Sequence, residues 1–218
     1  MTLSVAVRAG AILCALLLHP HQGVAFIEPE DLDPVAGMRA LDSADASGGP
    51  LAPDPPAQVS LEENFTMEWN GYRIEAIQGF GIEALVLGRK NYVEGDMGQL
   101  VPIDLALAWG QASDPLWVRH LSVEQSDRVY RWSYPRGTPI DQRSFEVSSA
   151  NMHIMPASPE IRAMLDTVGP GDVVRMSGFL VNISGPGGYA WNTSIVRTDV
   201  GLGACEVILV ETVEIVGR

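Results

Sequence analysis

Between Tyr72 and Ile215 the sequence is written mostly in strand-length segments broken by glycine and proline, and only one segment carries a full set of helix signals. That distribution constrains the fold more than any other feature, because a chain with one principal helix must close its core with sheet. The stretch "YRIEAIQGFGIEALVLGRKNYV" alternates apolar and polar positions around Gly79 and Gly81, which predicts a strand with a glycine kink or bulge. "HLSVEQSDRVYRWSYP" predicts a hairpin with its turn near Ser126-Asp127, and "SFEVSSANMHIMPAS" a short strand closed by Pro156. The helix is expected near 159–168. Ser158 is placed to cap it, Pro159 takes the first helical position, and Ile161, Met164, Leu165 and Val168 recur at helical spacing before Gly169-Pro170-Gly171. Strand returns in "DVVRMSGFLVNI", "YAWNTSIVRTD" and "CEVILVETVEI", separated by the glycine runs "GPGG" and "GLGA".

Several strands, one helix, a glycine-flanked strand, a hairpin and a last strand resemble the OB-fold, a five-stranded barrel with a helix between its third and fourth strands. The expected class is therefore mainly β: a small OB-like barrel with one main helix, over residues 64–218. "PIDLALAWGQASDPLWVRH" fits no OB element and is expected to be a helical insertion or a sign of a different barrel. The glycine runs lie between expected strands and lack a Gly-Lys-Ser/Thr ending, so turn chemistry explains them and phosphate binding does not.

Two segments precede this domain. Residues 1–25 carry Arg8, an apolar stretch from Ala9 to Leu18 and the small residues Gly23-Val24-Ala25, the layout of a cleaved signal peptide. The apolar stretch falls short of the roughly 20 residues that a membrane span needs. Residues 26–63 hold nine acids against Arg39 alone and are rich in proline and alanine, which predicts a disordered acidic linker. The whole chain carries a net charge of −13, of which residues 64–218, with 18 acids and 12 bases, contribute −6. Such a balance disfavours nucleic acid, whose phosphates are bound by lysine and arginine. Removal of Cys14 with the signal leaves Cys205 as the one cysteine, so the core must hold without an intrachain disulfide.

The stretch from about Tyr72 to Glu214, in particular "PIDLALAWG", "SSANMHIMPAS" and "WNTSIVRTDVGLGACEV", resembles an uncharacterised group of short exported bacterial proteins. The resemblance implies an exported or envelope setting and a compact β domain, and brings no activity and no catalytic residue.

Three sets of residues have chemistry to offer. Cys205, His153 and Asp199 supply the types needed for a thiol nucleophile, its base and an orienting acid. The opposing reading is a structural cysteine, since Cys205 opens an apolar strand and cysteine is among the most buried residues. His120 and His153, with Asp104 or Asp199, are the only materials for a metal site, and no His-x-His spacing supports one. Trp109, Asn151, His153, Arg197, Asp199 and Glu206, with Trp132 and Trp191 near them in the pattern, form a polar and aromatic set that fits a small binding site. The opposing reading there is an ion pair of Arg197 with Glu206 that fixes the "GLGA" break. The sum of these features predicts a non-enzymatic binding or assembly module of the bacterial envelope, periplasmic or otherwise exported, without a cofactor. Its expected partner is an envelope protein or a small polar ligand, and membrane contact is expected only through an uncleaved signal. The alternative is a small exported hydrolase using Cys205 or a His120/His153 metal site.

Overall fold

A computed structural model describes residues 49–196 and 205–218. Ten strands run through the described residues: β1 (Ala57–Ser60), β2 (Thr66–Trp69), β3 (Tyr72–Asn91), β4 (Ile103–Ala108), β5 (Ser122–Ser126), β6 (Val129–Ser133), β7 (Ser149–Pro156), β8 (Val173–Gly185), β9 (Tyr189–Trp191) and β10 (Val207–Gly217). Four short helices join them: α1 (Gly95–Leu100), α2 (Pro115–Val118), α3 (Gln142–Val147) and α4 (Pro159–Leu165). The mainly β class is as the alternation predicts.

Eight strands make one sheet in the order β1-β3-β4-β7-β10-β8-β9, with β2 on β3 and a further pairing of β3 with β8. Every ladder of that sheet is antiparallel except β7 with β10, which run parallel with Val207 level with His153. Strand β3 is 20 residues long and bends at irregularities between Ala76 and Gln78 and between Val86 and Gly88. The bends thus lie on either side of the expected kink at Gly79 and Gly81.

Alternation along the strands sends side chains to two cores. One face contributes Phe80, Ile82, Leu105, Leu107, Met152, Ile154, Met176, Leu180 and Ile208 to the main core, which Leu165 and Val168 of the α4 region complete. The α4 helix is fixed at both ends. Ser158 Oγ accepts from the Ile161 amide at 3.3 Å. At the other end Arg89 donates to the carbonyls of Leu165 and Val168, satisfying acceptors that a helix end leaves unpaired. The opposite face builds a second core from Ile74, Val101, Met155, Val181, Val207 and Leu209, with Trp69, Tyr72, Tyr189 and Trp191 packed at its margin.

Two expectations are corrected. "PIDLALA" is neither a helical insertion nor foreign to the sheet: Ile103–Ala108 is a central strand, buried on both faces, which is why it reads as an apolar run without alternation. The ordered domain also begins before residue 64. Ala52 is fully buried, its amide donates to Ser113 Oγ at 3.0 Å, and β1 pairs with β3, so the part of the expected 26–63 linker from Gly49 onward is docked. The signal segment and linker residues 26–48 lie outside the described residues.

Strands β8 and β10 cross closely at Gly178, where a Cβ would lie 1.9 Å from the Leu209 carbonyl oxygen. Gly178→Ala is expected to destabilise the domain by at least about 1–3 kcal/mol, the usual cost of overpacking. Gly81→Ala, whose added methyl meets nothing nearer than 4.0 Å, should shift stability by less than about 1 kcal/mol. Urea denaturation of the two variants checks the contrast.

Candidate functional site

A single acid interrupts the apolar strand β4. Asp104 stands level with His153 on β7, so both side chains leave the sheet on the same side, with Asn151 two residues along. Above them lies the β5–β6 hairpin. Its two turn residues, Asp127 and Arg128, have φ of 52° and 65°, the geometry of a two-residue hairpin turn that Asn-Gly usually supplies. Arginine in a left-handed conformation costs on the order of 1 kcal/mol or more. What offsets that cost is the position it gives the guanidinium.

Asp104 is the centre of the cluster. Arg128 Nη1 donates to its Oδ1 at 2.7 Å, His153 Nδ1 meets the same oxygen at 2.9 Å, and Asn151 Nδ2 donates to Oδ2 at 3.2 Å. The side chains of Asp104 and His153 are 1% and 0% exposed. Around this centre, Gln125 donates to Asn151 Oδ1 at 2.8 Å, and Arg128 Nη2 to the Val101 carbonyl at 2.8 Å. The Arg128 guanidinium carbon lies 3.6 Å from the Tyr92 ring centroid and 5.5 Å from that of Trp191. The Trp191 ring in turn packs against the His153 imidazole at 4.8 Å.

Burial pushes the Asp104 carboxyl upward, but the hydrogen bond and charge of His153 and the charge of Arg128 outweigh it and hold the group below its ordinary value. With Asp104 ionised, His153 presents Nδ1–H to it. Nε2 is buried and has no hydrogen-bond partner among the described residues. Beside the cluster, burial drives the Tyr130 phenol far above its ordinary range, against the opposing hydrogen bond to Ser149 Oγ at 2.5 Å. Burial likewise raises Tyr189 to about 12.

The structure brings Asn151 and His153 together through Asp104. Glu206 is buried at the head of β10, and its carbonyl accepts the His153 amide at 2.8 Å. Cys205, half-buried, precedes it, and its carbonyl accepts from the Ser194 amide. Trp109 instead belongs to the main core, on the other side of the sheet from His153. Trp132 packs on Phe145 under the hairpin. His120 follows α2, where Arg119 Nε lies 3.3 Å from its Nε2. Among the described residues no three His, Cys, Asp or Glu side chains form a group able to hold a metal ion. Arg197 and Asp199 lie outside the described residues, so the expected cluster of Arg197, Asp199 and Glu206 does too. In the described geometry the acid on His153 is Asp104.

Sequence reasoning missed Arg128, Gln125, Tyr92 and Tyr130. Asp104 entered it only as a metal ligand, although a lone acid inside "IDLALA" is itself a signal, since a buried carboxylate requires partners. Arg128 carried the weaker signal of a charged residue where a turn favours glycine.

No family model matches this chain, and neither a curated protein nor a solved structure does.

Removing one partner of a buried ion pair leaves the other charge uncompensated. Asp104→Ala is therefore expected to lose about 3–5 kcal/mol. The pH dependence has a definite sign. Because folding lowers the Asp104 pKa, its stabilisation is fully present above the unfolded value of about 3.9 and is lost as pH falls through the lower folded value. Denaturant midpoints measured between neutrality and pH 2 should fall less steeply for Asp104→Asn than for the parent.

Proposed function

We propose that the chain is an exported binding module of the bacterial envelope, and that it recognises its partner on the half-exposed aromatic rings at the margin of the second core, beside the β5–β6 hairpin. One observation carries the recognition reading: charged and polar groups sealed against water are spent on holding half-exposed aromatic rings in place. Asp104 fixes His153 and Arg128, and these support the rings of Trp191 and Tyr92. Tyr72, Tyr189 and Trp69 continue the row, with the Tyr72 and Tyr189 rings in edge contact at 5.8 Å. Rigid aromatic side chains lose little entropy on contact, which suits them to binding small polar molecules or another protein.

The finer fold reading, a small OB-like barrel, is supported by five strands. In chain order they are β3, β4, β7, β8 and β10, with pairings β3–β4, β4–β7, β7–β10, β10–β8 and β8–β3. The third and fifth of them run parallel, and α4 lies between the third and fourth. OB-type barrels bind ligands on the face of their second and third strands and at the neighbouring loops. Asp104 and His153 belong to the strands that would hold those places. Export rests on the signal-like layout of residues 1–25. No helix among the described residues is long and apolar enough to cross a membrane.

Two measurements test the proposal. Material recovered from the cell envelope should begin at or near Phe26 by N-terminal sequencing, and a retained Met1 in cytosolic material overturns the export part. A thermal-shift screen of small polar envelope metabolites should yield a ligand that raises the melting temperature. That rise should vanish in Trp191→Ala while the circular dichroism spectrum is kept. An equal rise in Trp191→Ala removes this face as the binding site.

A further inference from the structure

Arg128 is held as a cation against aromatic rings, and the row of rings continues past it. Its guanidinium carbon lies 3.6 Å from the Tyr92 ring centroid and 5.5 Å from that of Trp191. Tyr189 and Trp191 alternate on β9, so both rings leave that strand on one side. Tyr189 meets Tyr72 in edge contact at 5.8 Å with the ring planes 88° apart, and Tyr72 meets Trp69 at 6.4 Å. Burial raises the Tyr189 phenol to about 12, and the charge of Arg128 opposes that rise, so this ring too lies within electrostatic reach of the guanidinium. Each of the five rings is half-buried and shows part of its surface to water. The central ring has a built seat: Tyr72 lies against Gly185, where a Cβ would come within 2.3 Å of it.

The charges beside the row are mostly acidic. The Tyr72 hydroxyl donates to Asp96 Oδ2 at 3.5 Å, and Glu94 and Asp127, near Tyr92 and Arg128 in the chain, are exposed. The charge of Arg128 is already matched by Asp104 at 2.7 Å. Glu68 and Arg73, next to Trp69 and Tyr72, are level with each other and by alternation face the other side of the β2–β3 ladder. Aromatic faces edged by carboxylates attract a cation.

We propose that this row of rings binds arginine side chains of a partner polypeptide, and that Arg128 is the chain's own instance of the contact. The inference rests on the recognition surface proposed above and adds the class of its partner. A guanidinium is planar and weakly hydrated, so it stacks on a ring with little loss of solvation, whereas a lysine ammonium is a compact and strongly hydrated charge. Stacked on Tyr72, it has the Tyr189 ring at right angles beside it and the Asp96 carboxylate at the hydroxyl end to take its N–H groups. Tyrosine, tryptophan and arginine are also the side chains that dominate binding energy between proteins.

The test titrates tetra-arginine amide into the full chain and follows heat by calorimetry. Tetra-citrulline amide keeps the planar shape without the charge, and tetra-lysine amide keeps the charge without the planar group. Tetra-arginine should bind at least about tenfold more tightly than either. Tyr72→Leu should weaken it about tenfold with the circular dichroism spectrum kept. Gly185→Ala, which retains every ring but unseats Tyr72, should weaken it as well. Equal binding of tetra-lysine overturns the proposal, because the net charge of −13 then accounts for it. Equal binding of tetra-citrulline does so too, as does undiminished binding in a folded Tyr72→Leu. If Tyr72→Leu does not fold, Asp96→Asn at the exposed acid decides: weaker binding of tetra-arginine is expected, and unchanged binding overturns the proposal. A screened ligand that depends on Trp191, with tetra-arginine unbound, leaves the recognition surface standing and overturns only its assignment to arginine.

Discussion

The carboxylate of Asp104 ties together three pieces of chain that the backbone ladders alone would leave loosely related. It accepts from β7 through His153 and Asn151, and from the β5–β6 turn through Arg128. The hairpin forms a sheet of its own with no ladder to the main one. Its seat on the domain therefore depends on side chains: the apolar contacts of Val123 and Trp132 with Leu121 and Phe145, and the polar bonds of Gln125, Arg128 and Tyr130 to β4 and β7. Apolar contacts give adhesion without direction. The bonds to Asp104 and Asn151 supply the direction.

Much of the fold was legible because the physics was local. Ser158, Pro159 and the apolar spacing after them announced α4, and the observed cap bond from Ile161 to Ser158 is the one those residues are chosen for. The hairpin was legible from alternation around Ser126-Asp127, and its observed turn falls at Asp127-Arg128. Strand β4 was not legible, because burial on both faces erases the alternation that marks a strand, leaving Leu105-Ala106-Leu107-Ala108 readable as helix or insertion. The docking of Ala52 was hidden for the opposite reason. Its segment has the composition of a linker, and what holds it lies far along the chain: bonds to Ser113 and Gly110, packing on Leu85, Val118 and Val173, and the β1–β3 ladder.

The candidate site was legible in part for the same reason. Asn151 and His153 stood out as polar residues in an apolar strand, and the structure joins them. Their partner Asp104 comes 47 residues earlier than Asn151, and Arg128 lies in the chain between the two. Nothing in a one-dimensional pattern links those positions. The link arises from the register of β4 against β7 and from the left-handed turn that aims Arg128 inward.

That register suggests why the network is polar at all. Well-packed apolar residues in place of a buried ion pair are often neutral or stabilising, so stability alone does not account for charges at this place. A slip of one residue that turned β4 over against β7 would drive Asp104 into the main core in the place of Leu105 and Leu107, beside Met152 and Ile154. An unpaired carboxylate there would be far more costly than a misplaced methyl group. The pairing of Asp104 with His153 and Arg128 thus penalises every register but one. In that register a single imidazole has one nitrogen held by the acid and the other buried with no hydrogen-bond partner among the described residues. The same bonds that select the fold also set the orientation of the group best suited to chemistry on this face.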